Sequence, residues 1–167
     1  MTDTQHHSEF AATRTLEGNR SAPLPAELIV RRLIDEAFSQ GNLDVCDELI
    51  AHDIVEHQDY GPGHAPGAAG VKAVVTSLRR AFSDFKLEIE DLVVAGDTVW
   101  TRNVATGTND GPYMGCPPSG RTFNIYVFDV MRVVGGRVVE HWGVPDRLGV
   151  LFQLDTISRP PKFAKGS

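Results

Sequence analysis

Cysteine is scarce in this chain: Cys46 and Cys116 are the only two among 167 residues, far apart and without CxxC spacing. That excludes a disulfide-rich scaffold, and two reduced thiols are the simplest expectation. Long apolar runs are missing too. No stretch approaches the ~18–20 residues of a membrane span, and the amino-terminal segment lacks the apolar core of a secretory signal, so the expected compartment is the cytoplasm. Basic residues are outnumbered, 16 against 22 acidic, for a net charge of −6. The nearest approach to a basic cluster is Arg79-Arg80, so neither nucleic acid nor an anionic membrane is an expected partner. The GxGxxG, GxxxxGK[ST] and GxSxG patterns are absent, which removes the usual nucleotide and nucleophile-elbow readings.

What is present suits one soluble domain, with 41% hydrophobic and 23% charged residues. A chain of this length can bury enough apolar surface to fold without a staple. Residues 1–22 are polar and aperiodic and read as a tail, 23–155 as a single domain, and 156–167 as a Pro-rich second tail. From Ala26 to Ser39 apolar residues recur at helical spacing, closed by Gly41, and a short second helix follows over Leu43–Ala51. Asp53–His57 reads as extended. The breaker-rich loop Tyr60–Gly67 precedes a third helix over Ala68–Phe82. The period then changes to two: strands are expected from Phe85 to Val94, Thr98 to Thr106, Arg121 to Val134 and Arg137 to Val144, with turns at Gly96-Asp97 and Gly135-Gly136. Asp146–Leu154 is a short helix or turn. Three helices before a four-strand antiparallel meander predict an α+β fold, a curved sheet wrapped around helices with an apolar pocket between them.

Several segments carry a resemblance. They are Ala81-Phe82-Ser83-Asp84-Phe85, Val94 to Arg102, Gly107-Thr108, Gly115-Cys116-Pro117-Pro118-Ser119-Gly120-Arg121, and Gly136 to Trp142 with Asp146 beyond. In order and spacing they resemble the SnoaL-like polyketide cyclases, or ester cyclases, of the nuclear-transport-factor-2-like superfamily, over residues 25–155. One departure is Ser83, where the family pattern has proline before the aspartate. The resemblance implies a cone-shaped fold, a homodimer, and a cofactor-free enzyme that closes a ring in an aromatic polyketide ester by intramolecular aldol addition; the carbon acid of such a reaction is acidic enough to need no metal. It also implies that an aspartate matching Asp146 is the acid/base.

Read from the residues alone, Asp146 is a carboxylate at a strand-to-helix junction, and both general acid/base and helix N-cap fit. His141 and Trp142 point to opposite faces of their strand, and a break near Gly143 and Pro145 leaves open which faces the pocket. A pocket-facing His141 would polarise a carbonyl or tune a carboxylate. Trp142 suits core, dimer contact or substrate platform. Arg102 sits in an apolar run and needs a carboxylate or ligand oxygen, with Asp129 or Glu140 as candidate partners; Asp129, also flanked by apolar residues, needs a partner itself. His57, with Asp59, Tyr60 and His64, has the composition of a pocket lid. Tyr126, Tyr113 and Met114 suit cavity lining or packing. His57, His64 and His141 match no compact metal motif.

Three functions follow for testing. The first is a cyclase-like enzyme forming a carbon–carbon bond, or an isomerase, on a small hydrophobic substrate. The second is an epoxide-hydrolase-like enzyme needing at least two convergent carboxylates, with Asp129 or Glu56 near Asp146 and Arg102 between them. The third is a non-enzymatic binding or dimerisation module, favoured if Asp146 merely caps its helix.

Overall fold

Pro25, with φ −54° and ψ 143°, presets the entry to α1 (Ala26–Arg32) and accepts from the Leu28 and Ile29 amides through its carbonyl. The computed structural model describes residues 24–60 and 63–158; the predicted tail 1–22 and residues 159–167 lie outside the described residues. The expected single helix to Ser39 is in two parts. After Arg32 the backbone widens into a π-helical segment, Leu33–Ser39, in which the Gln40 amide bonds back five residues to Asp35 O at 3.0 Å. Such turns recur at functional sites, and here Ile34 and Phe38 from this segment line the cavity described below. Gly41 closes it at φ +80°, where a Cβ would meet Arg79 Nε at 2.7 Å.

The second helix, α2 (Asp44–Leu49), is shorter than its apolar pattern predicts. Ile50 and Ala51 instead begin β1 (Ile50–Glu56), because their backbone pairs with a strand almost 90 residues away. Then follow α3 (Gly67–Ala81), β2 (Lys86–Ala95), β3 (Thr98–Thr108), β4 (Thr122–Val134), β5 (Arg137–Pro145) and α4 (Arg147–Gln153). The expected antiparallel meander is β2 to β5, and β1 adds a parallel fifth strand beside β5, giving the order β1-β5-β4-β3-β2. Arg32 ties α1 to α2 through Glu48 at 2.6 Å and to the π-helical segment through Glu36 at 2.7 Å. Both cysteines are free thiols. Among the described residues no helix is long and apolar enough to cross a membrane.

Alternation decides the two faces of this sheet. Val99, Thr101, Asn103 and Ala105 on β3, and Phe123 through Val133 at alternate positions on β4, point inward against α1 and the π-helical segment. Between Val133↔Val138 and Arg132↔Glu140 the β4–β5 register slips, leaving Val139 as the extra residue of a β-bulge. A one-residue slip exchanges the faces of every later residue. His141, Gly143 and Pro145 consequently face inward, opposite Met131, Asp129 and Val127, while Trp142 and Val144 face outward.

A buried carboxylate–imidazole–carboxylate line in an apolar cavity

Between the inner sheet face and the helices lies a cavity of about 390 Å³, within the range of small-molecule sites. Phe38, Leu78, Phe82, Phe123, Ile125 and Val127 supply much of its wall. Its polar groups gather where β5, β4 and the end of β1 meet. There His141 Nε2 donates to Asp129 Oδ1 at 3.2 Å, and its Nδ1 donates to Glu56 at 2.8 and 2.9 Å. All three side chains are less than a fifth exposed. Burial alone would lower the imidazole pKa, but hydrogen bonds from Asp129 and Glu56, reinforced by their charges, push it up to about 9. At neutral pH His141 is therefore an imidazolium clamped between two carboxylates.

The arrangement depends on small local features. Gly143 is the cross-strand partner of Asp129, and a Cβ there would lie 2.0 Å from Gln58 Oε1 and 2.8 Å from Asp129 Oδ1. Glycine is what lets the Gln58 amide lie beside Asp129 and His141. The Gln58 backbone amide in turn holds Glu56 Oε1 at 2.8 Å. On the far side, Asn103 Nδ2 donates to Asp129 Oδ2 at 2.7 Å. Tyr60, also lining the cavity, has its phenol pKa raised well above the usual range, first by burial and then by the charges of Glu56 and Asp129. It stays protonated and available as a donor.

Two loops form the rim. Arg147 reaches back from α4 to bond Asp59 O at 2.8 Å and lies over the Tyr60 ring, which stacks on His64 at 4.5 Å. Opposite, Tyr113 and Met114 enter from a tight turn closed by reciprocal Tyr113–Cys116 backbone bonds at 3.0 and 2.9 Å. Fully buried Asn109 fastens this loop by donating to Gly111 O at 2.7 Å and accepting from the Ser119 amide at 2.8 Å.

Of the residues singled out in the sequence, the cavity brings together His141, Asp129, Tyr60, His64, Tyr113 and Met114. Five others are elsewhere. Asp146 does not line the cavity: exposed, it is the N-cap of α4, its Oδ1 accepting from the Gly149 amide at 2.7 Å. Arg102 is on the outer face, ion-paired with Glu90 and Asp91 of β2 rather than with Asp129 or Glu140, and it lies over the Tyr126 ring. Tyr126 itself points outward because it shares parity with Phe128 rather than with Asp129. Trp142 is outward as a result of the bulge. His57 stacks on it at 4.4 Å and bonds Glu140 at 3.0 Å, so His57 and His141 do not converge. The hydrolase layout, with Arg102 between carboxylates that include Asp146, is accordingly not assembled. Glu56, named in the sequence only as a second carboxylate of the hydrolase layout, stands beside His141 instead of Asp146; Gln58 and Asn103 were not singled out. Of these, Asn103 had a signal, being a polar side chain at a buried parity of β3.

Residues 28–154 match the family description "SnoaL-like polyketide cyclase". The chain is 32% identical over 135 residues to the aklanonic acid methyl ester cyclase DnrD of Streptomyces peucetius, covering 75% of this chain and 88% of that protein. It is 29% identical over 120 residues to the nogalonic acid methyl ester cyclase of Streptomyces nogalater, covering 71% and 89%. Among solved structures, IdmH from Streptomyces antibioticus superimposes with a TM-score of 0.68 at 35% identity, over 79% of this chain and 99% of that one.

Proposed function

Because the chain belongs to the SnoaL-like polyketide cyclase family, we propose that it closes a ring in a polyketide methyl ester by intramolecular aldol addition, with Asp129 and His141 as the acid–base pair. The observation that carries this is the Glu56–His141–Asp129 line at the polar end of an otherwise apolar cavity. Two relatives are named for methyl esters of aklanonic and nogalonic acid, which supports a substrate of that class.

Aldol closure needs one proton taken and one returned. The Asp129 carboxylate removes a proton from the carbon flanked by carbonyls, and the resulting enolate carbon attacks the acceptor carbonyl. The new alkoxide takes the Nε2 proton of His141. Asp129 is then protonated and His141 neutral, and a proton crossing the 3.2 Å contact restores both. Such a carbon acid is acidic enough to need only positioned groups and an excluded solvent. The Tyr60 phenol and Gln58 amide line the same cavity and offer donors to the enolate oxygens. Glu56 holds the imidazolium in place and favours its charged form.

The test is Asp129→Asn assayed on aklanonic acid methyl ester for appearance of the cyclised product. Turnover should fall by roughly 10²–10⁴. Wild-type turnover in that variant overturns the assignment, and a pocket that binds without turnover in the unaltered protein favours the binding-module reading.

For the assembly we propose a homodimer formed by the outer sheet face. Trp100, Tyr126, Phe128 and Val144 are each more than half exposed there, with Trp142 beside them. So large a cluster of aromatic surface on one face marks an interaction site.

A further inference from the structure

Asn103 is fully buried on the inner face of β3, beside Thr101 and Ala105, with Ile89 and Val127 as its cross-strand neighbours. Its surroundings are mostly apolar, and a Leu or Val would suit them better. Both amide protons are used: Nδ2 donates to Asp129 Oδ2 at 2.7 Å and to Thr101 Oγ1 at 3.0 Å. Its Oδ1, by contrast, is buried and has no hydrogen-bond partner among the described residues. An unsatisfied buried acceptor destabilises a fold, so stability alone does not account for this amide. Turning the amide over would set Oδ1 against the Asp129 carboxylate oxygen and leave that oxygen without this donor. The orientation is the one that gives Oδ2 of Asp129 a donor.

We propose that Asn103 is a positioning residue for the reaction: it holds Oδ2 of Asp129, so that Oδ1, shared with His141, is the oxygen presented to the substrate. This rests on the reading of Asp129 as the base. Asn103 itself does not line the cavity, so it acts through Asp129 and touches no substrate. A hydrogen bond to a charged group is stronger than a neutral one, and removing this donor destabilises the ionised carboxylate and frees its rotation.

The experiment compares wild type, Asn103→Leu, Asn103→Ala and Asp129→Asn. In the two Asn103 variants kcat at pH 7 should fall about ten- to a hundredfold. KM should stay unchanged and the acid limb of the pH–rate profile should move to higher pH. Folding is checked by circular dichroism, and the less bulky Ala variant serves if Leu does not pack. A second readout needs no substrate. The His141 Nε2 proton resonance should broaden or shift in the Asn103 variants, because its acceptor is no longer fixed. An unchanged acid limb together with an unchanged Nε2 resonance overturns the role of Asn103, even with Asp129→Asn inactive. An active Asp129→Asn overturns the reading of the base instead, and the resonance then still decides whether Asn103 orients the carboxylate.

Discussion

Between pH 6.5 and 9 the protein should lose stability that depends on one side chain. His141 has an ordinary imidazole pKa near 6.5 when unfolded and about 9 when folded, held there against burial by Asp129 and Glu56. The folded state therefore binds the proton more tightly, and its contribution is complete below pH 6.5 and lost as pH rises through 9. At 1.36 kcal/mol for each tenfold change in proton affinity, the full effect is about 3 kcal/mol. The perturbation is His141→Gln, which keeps a hydrogen-bonding side chain and removes the charge. Urea unfolding of both proteins, followed by far-ultraviolet circular dichroism at intervals from pH 5.5 to 9.5, gives the difference in stability at each pH. That difference, wild type minus variant, should be largest at the acid end and shrink by about 3 kcal/mol across the window. Taking the difference cancels the surface groups that titrate alike in both. A difference that is flat from pH 6 to 9.5, or that grows with pH, refutes the clamped imidazolium and with it the proton-donor role in ring closure.

Asp146→Ala removes the α4 cap and should lower stability by about 1 kcal/mol in thermal denaturation, with turnover staying close to wild type. A loss of turnover comparable to that of Asp129→Asn would restore Asp146 as the acid/base. Phe128→Glu puts a charge in the middle of the outer apolar face. Light scattering after size exclusion should register a dimer for wild type and a monomer for the variant, and a wild-type monomer at micromolar concentration refutes the proposed assembly.

Most of the fold could be read from period alone. The third helix, expected over Ala68–Phe82, spans Gly67–Ala81, and the long third strand of the meander is displaced by one residue at its start. Local pattern has no access to pairing between distant segments, so the parallel partnership of β1 with β5 and the early end of α2 were out of reach. The site was legible in part. Asp129 stood out as an acid flanked by the apolar Phe128 and Val130 and so in need of a partner, and it has two, Asn103 and His141. The same logic failed for Arg102, because its flanks Trp100 and Val104 belong to the outward parity, and the outward face is apolar as well. His141 could not be assigned a face, since a single extra residue at Val139 decides it. Asp146 was drawn to the site by resemblance, whereas its capping bond to Gly149 follows from ordinary helix-start chemistry.

The bulge at Val139 also bears on how this chain can change over evolutionary time. Beyond it, odd-numbered positions of β5 answer to the chemistry of the cavity and even-numbered ones to whatever covers the outer face. Two sets of demands are thus interleaved along one strand. Substitutions can serve either set alone. A change of register cannot: pairing Val139 with Arg132 would turn Trp142 toward Asp129 and His141 toward solvent together, whereas taking Val139 out would leave Glu140 opposite Arg132 and His141 opposite Met131 in an unbroken ladder. What selection holds in this strand is therefore the pairing of His141 with Met131, reached either with the bulge or with its extra residue gone, rather than the count of residues from the Gly135-Gly136 turn to Pro145.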